Sequence, residues 1–181
     1  APASRIPPGQ RGEGIVTRSL FLFDIDGTLL KTGGAGMRAM RTAGQELFGD
    51  RIVWEDVVSA GSLDPTIYAE AIQNSGLAGA ERHHETFRDH YLRCLEQELA
   101  RNAHRVETMP GVHELLELLR VRATTCGDPV LGILTGNYGP AVSMKLAAID
   151  VELDQFTVTA FGDEAPTRPD LVVLAMQRYG Q

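Results

Sequence analysis

Residues 20–30 read LFLFDIDGTLL, four apolar residues followed by Asp24 and Asp26 one residue apart, and then Gly27. A strand buried on both faces reads as a continuous apolar run, and Leu20 to Phe23 fit that pattern. Side chains alternate along extended chain, so Asp24 and Asp26 point the same way while Ile25 packs into the core between them. Two carboxylates that close repel each other unless a cation or a shared proton offsets the charge. Magnesium supplies such a charge and takes oxygen ligands, and Gly27 lets the backbone turn tightly around it. One carboxylate is then free to attack while the other handles protons. A calcium loop also clusters aspartates, but its glycine comes sixth, whereas here it comes fourth.

Two further apolar runs read as buried strands, Val130 to Leu134 and Phe156 to Phe161, and helical patterns separate the three. Before the second strand, Pro110 suits a helix start, with Val112, Leu115, Leu116, Leu118 and Leu119 as the apolar face. Strands alternating with helices imply an α/β fold, a Rossmann-like parallel sheet. Ligands of such sheets bind beyond the carboxyl ends of the strands, where Asp24 and Asp26 fall.

Between the first and second strands lies far more chain than a crossover needs. Residues 34–105 hold about three helical segments, expected to form an inserted helical cap over the sheet's C-terminal edge, with hinges near Gly33-Gly34 and Met109-Pro110. The remaining core is expected at 19–33 and 106–181, after a Pro- and Gly-rich flexible arm at 1–18. Within the insert, Met37, Met40 and Leu47 fall near one face of a helix that stops at Gly49. Asp64 reads as an N-cap with Pro65 first in its helix, and Phe87, Tyr91, Leu95 and Leu99 form a packing stripe.

The net charge is −7, from 17 basic against 24 acidic residues, which argues against nucleic-acid or acidic-lipid surfaces. The arm has no apolar run long enough for a signal peptide or a membrane helix. Cys94 and Cys126 show no Cys-x-x-Cys spacing, which suits a reducing compartment, so the expected location is cytoplasmic. Neither thiol has an activating context. His83, His84 and His90 read as an exposed polar face rather than a metal site.

DIDGTLL resembles the first motif of the haloacid dehalogenase superfamily, most of whose members are magnesium-dependent phosphatases. GILTGN at 132–137 is similar to its second motif, a strand ending in Ser or Thr. FTVTAFGDEAPTRPDLV resembles the third strand and the basic motif that opens the next helix. The similarity spans roughly residues 19–180, and its flavour is phosphoglycolate-phosphatase-like. It implies a phosphatase acting on a small phosphorylated metabolite, with magnesium held by Asp24 and Asp26. Asp24 would become an aspartyl-phosphate, and Asp26 would protonate the leaving alcohol and later activate water. Thr135, Gly27, Thr28, Gly136 and Asn137 are the implied phosphate contacts, the last two as amides at a helix start. The second acid, Asp26, favours phosphoryl transfer over dehalogenation, which leaves a phosphomutase as the nearest alternative.

The chain departs from the pattern in two places. The third motif usually offers a lysine, and here Arg168 stands in its place, charged and able to grip phosphate through two N–H groups. Lys145 competes for the role, though its position within a helix reads as surface. The fourth motif, a strand finishing in acids that complete the metal site, is not reached before Gln181. FGDE at 161–164 imitates it, making Asp163 and Glu164 minor metal candidates. A C-terminal part of the natural protein is therefore expected to follow, and without it the first strand has an unpaired edge. The contrasting expectation is a non-catalytic fragment or phosphate-binding module with an incomplete metal site. The TGGAG run at 32–36 reads as a hinge or a phosphate approach, and Arg38, Arg41 and Asp64 as possible substrate contacts from the cap.

Overall fold

The computed structural model describes residues 18–181, so the arm expected at 1–18 lies outside the described residues except for Arg18. Three strands, β1 (Leu20–Phe23), β4 (Val130–Leu134) and β5 (Val158–Ala160), form a parallel sheet in the order β1-β4-β5. Leu20 pairs with Val130 and Gly132 with Val158, which sets the register. Gly132 has no room for a side chain, since a Cβ there would stand 2.6 Å from the Val158 carbonyl oxygen and 2.8 Å from the Leu22 side chain.

Side-chain alternation builds a layer on each face of the sheet. Phe23, Leu131 and Ile133 pack against α4 (Val112–Cys126) and α5 (Gly139–Ala147). Leu20, Leu22, Val158 and Ala160 pack against α6 (Arg168–Tyr179). The outer side of β1 pairs with no strand among the described residues.

Between β2 (Leu30–Lys31) and β3 (Glu107–Thr108), which pair antiparallel, the chain is helical: α1 (Ala35–Phe48), α2 (Asp64–Asn74) and α3 (His84–Arg101) with short 3₁₀ turns. Their shared core holds Met40, Ile67, Tyr68, Phe87, Tyr91 and Leu95, with Tyr68 stacked on Phe87 at 4.3 Å.

Three local expectations change. The third strand is shorter than its apolar run, because Phe156 closes a 3₁₀ turn and the Phe161 N–H donates to Glu164 Oε2 at 2.8 Å, turning the chain away. Helix α4 begins at Val112 after Gly111 in the left-handed region, leaving Pro110 in the preceding turn. Only one side of α4 meets the sheet, so Val112, Leu116 and Leu119 are buried while Leu115 and Leu118 are exposed. None of the described helices is long and apolar enough to cross a membrane.

Candidate active site

Where β1 ends, Ile25 is fully buried, and its carbonyl accepts the N–H groups of Thr28, Leu29 and Leu30 in a tight loop. That loop turns at Gly27, whose φ of 78° falls where a side chain is disfavoured. It leaves the carboxylates of Asp24 and Asp26 at the mouth of a cavity of about 520 Å³, lined from below by Thr135, Gly136, Asn137, Lys145 and Arg168. Parts of the 31–40 segment, among them Thr32, Met37 and Met40, line it from above with most of the 59–64 loop, Ile67 and Tyr91.

Each carboxylate has its own cation. Arg168, the first residue of α6, donates from Nη2 to Asp24 Oδ2 at 2.5 Å, while Asp24 Oδ1 accepts the Ile25 N–H at 2.8 Å. Lys145 donates from Nζ to Asp26 Oδ2 at 2.6 Å and to Asn137 Oδ1 at 2.5 Å. Asn137 bridges the set, its Nδ2 donating to Asp26 Oδ2 and Thr135 Oγ1, both at 2.8 Å. Thr135 is held in turn by its N–H on the Ala160 carbonyl at 3.1 Å.

Lys145 is not a surface residue, for only 3% of it is exposed. Helical side chains lean toward the N-terminus, so a long one in α5 reaches back to the loop that precedes its helix. A buried ammonium needs such partners, because desolvation without pairing is costly.

The helices above the cavity are tied to the loop between β4 and α5. The Asp64 N–H donates to the Gly136 carbonyl at 2.7 Å, and Asp64 Oδ2 accepts the Tyr138 N–H at 2.9 Å. Asp64 therefore opens α2 without capping it, spending its carboxylate across the cavity on another segment. Burial pushes that carboxyl up to about 7, against the opposing pull of Lys145 and the Tyr138 N–H. Gly136 admits no side chain, since a Cβ would meet the Ser62 carbonyl oxygen at 2.3 Å.

A family model described as haloacid dehalogenase-like hydrolase matches residues 21–180. The chain belongs to this family. A Lactobacillus plantarum protein provisionally named a phosphoglycolate phosphatase is 19% identical, with 91% of this chain and 72% of that one covered and a TM-score of 0.58. A Pseudomonas syringae hydrolase is 20% identical over 91% and 71% of the two chains, with a TM-score of 0.67. CbbY from Rhodobacter sphaeroides in complex with phosphate is 21% identical over 91% and 74%, with a TM-score of 0.59. These likenesses bear on the fold, which is the Rossmann-like one of the family. No curated protein matches the sequence.

In this haloacid dehalogenase-like hydrolase, the structure brings Asp24, Asp26, Gly27, Thr135, Gly136, Asn137 and Arg168 to one cavity. Thr28 is exposed and does not line it. Helix α5 starts at Gly139, so Gly136 and Asn137 belong to the preceding loop and not to a helix start. Asp163 and Glu164 lie outside the cavity lining: Asp163 accepts the Gly139 N–H at 3.4 Å, and Glu164 pairs with Arg178 at 2.8 Å. No group of three His, Cys, Asp or Glu suited to a metal occurs among the described residues. His84 bonds the Tyr138 hydroxyl at 2.8 Å and His90 bonds Glu46, so both are only partly exposed. Arg38 pairs with Glu98, and neither Arg38 nor Arg41 lines the cavity. Thr32, Gly33, Gly34 and Gly36 do line it.

Tyr91 is a further residue of the cavity wall. Its place in an apolar stripe hides it in the sequence, yet its hydroxyl is buried without a hydrogen-bond partner in the cavity wall. An unpaired buried hydroxyl costs about 1–3 kcal/mol.

Proposed function

We propose that this hydrolase is a magnesium-dependent phosphatase that cleaves a small phosphate monoester through an aspartyl-phosphate on Asp24, with residues 34–105 acting as the cap. The observation that carries the reading is the separate pairing of Asp24 with Arg168 and of Asp26 with Lys145 at one cavity mouth. Phosphoryl transfer depends on positioning and on neutralising charge over the equatorial oxygens, and two acids with two cations form a site of that kind.

Asp24 attacks phosphorus. Arg168, already on its Oδ2, turns its remaining N–H groups to the phosphate oxygens as the ester enters. Lys145 and Asn137 both hold Asp26 Oδ2, so this carboxyl is oriented from one side toward the leaving oxygen. Asp26 gives a proton to the leaving alcohol from Oδ1, the oxygen that neither Lys145 nor Asn137 holds, and regains it there from the water that attacks the phosphoryl group on Asp24, so the cycle ends with the same proton count. The Thr135 hydroxyl, fixed by Asn137, faces the transferred group from the end of β4.

The donor set suits magnesium. Both acids are hard oxygen donors with partly exposed side chains, 34% for Asp24 and 48% for Asp26, and this metal ordinarily keeps several waters while binding one or two carboxylates and a substrate phosphate. Asp24 and Asp26 would hold it, and it would add positive charge beside the phosphate. CbbY, of the same fold, is solved with phosphate, which supports a phosphorylated ligand here.

The test is phosphate release from a panel of small phosphate monoesters, with magnesium and with a chelator. Turnover that needs magnesium supports the reading, and a folded protein that releases none contradicts it.

A further inference from the structure

Tyr91 reaches the cavity wall from α3, and the chemistry above leaves its hydroxyl unused. The ring is fully buried beside Phe87 and Tyr138. Buried phenols ordinarily find a partner, and phenylalanine would fill the same space. An unpaired hydroxyl at this wall therefore marks a point that a ligand atom completes.

Its surroundings narrow the chemistry of that atom. A Cβ on Gly36 would lie 3.8 Å from both Tyr91 Oη and Lys145 Nζ, so these two polar groups flank the same glycine in the cavity wall. Asp64 lines the same cavity, and Met37, Met40 and Ile67 make the adjoining wall apolar. Burial, and then the charge of Asp64, raise the Tyr91 phenol well above its ordinary range, so it keeps its proton and donates. The matching group accepts from the phenol and hydrogen-bonds the Asp64 carboxyl. A hydroxyl does both, giving or taking a proton as the state of Asp64 requires, whereas an alkyl chain would leave both groups unmet.

We propose that Tyr91 is a specificity-determining residue that, with Asp64, receives a hydroxyl of the leaving alcohol, so that the preferred substrates are phosphate monoesters of hydroxylated alcohols. This rests on the phosphatase reading, and the test separates the two. Asp24→Asn protein with magnesium is titrated by calorimetry with glycerol 1-phosphate and with propyl phosphate, which share three carbons and differ in two hydroxyls. The glycerol ester should bind about tenfold tighter, the size of effect expected for a well-placed hydrogen bond. Adding Tyr91→Phe should weaken that ester alone and bring the two within about twofold. The melting temperature should hold or rise, because the substitution removes an unpaired group. Equal affinity for the two esters before Tyr91 is changed, binding of neither, or equal weakening of both by Tyr91→Phe overturns the proposal. Wild-type protein that hydrolyses neither ester, beside an Asp24→Asn protein that still tells them apart, overturns the phosphatase reading and leaves the subsite standing.

Discussion

Lys145 shows how one residue sets the charge of the site. Its ammonium is almost wholly buried and spans Asp26 and Asn137, so its loss leaves an acid without its cation and an amide without its donor. Lys145→Ala should lower kcat for an aryl phosphate by about 10²- to 10³-fold, the range seen when one preorganised charge-stabilising donor is removed. Lys145→Arg should not restore it, because a planar fork does not fit the space of a compact ammonium. A fall of less than about threefold in steady-state kinetics would show that Lys145 serves folding alone. The sequence did carry a signal, since Lys145 is the lone charge in AVSMKLAAI at 141–149. Surface position is the commoner fate of lysine, and only the backward lean of the side chain shows where this one points. Arg168 was legible because its neighbours follow a motif. Tyr91 was not, because a four-residue stripe looks the same whether or not one member's hydroxyl faces a cavity.

At the scale of elements, the joint between α2 and the loop before α5 depends on Asp64 and Gly136. The Asp64 carboxyl is raised from 3.8 to about 7 in the folded protein. Between those values the folded state binds more protons than the unfolded state, so stability from this group is present at low pH and is lost as pH rises toward 7. Asp64→Asn keeps an acceptor for the Tyr138 N–H and removes the titration. Urea unfolding of the variant should show a flatter decline in stability from about pH 4 to 7 than the wild type, and parallel profiles would contradict the assignment. Gly136→Ala should lower stability by about 1–3 kcal/mol, as overpacking does, because its Cβ would collide with the Ser62 carbonyl oxygen. The positions of β1 and β4 were readable from continuous apolar runs. The early end of β5 was not, because it depends on the Glu164 carboxylate taking the Phe161 N–H, a bond between residues that the apolar pattern ignores.

For the molecule as a whole, the sheet is covered by helices on both faces, yet β1 leaves one side unpaired among the described residues, and Phe21 there is 45% exposed. Leu118 on α4 is exposed further still. Open strand edges and apolar surface favour association. If the wild type associates as its concentration rises in sedimentation experiments, the double variant Phe21→Lys, Leu118→Lys should associate less, with unfolding stability changed by only about 0.5–1 kcal/mol. Unchanged association would place any contact elsewhere. The layered α/β architecture was legible from strand and helix alternation, whereas the exposed side of α4 was not, because five apolar residues look like one face until the sheet shows which of them it meets.

The most direct measurement compares magnesium-dependent hydrolysis of an aryl phosphate by the wild type and by Asp24→Asn, with acid-quenched protein examined by mass spectrometry for a phosphoryl adduct. An adduct is expected on Asp24 of the wild type, with none in the variant and a loss of turnover of at least about 10³-fold. Turnover that survives Asp24→Asn would contradict the assignment of Asp24 as nucleophile.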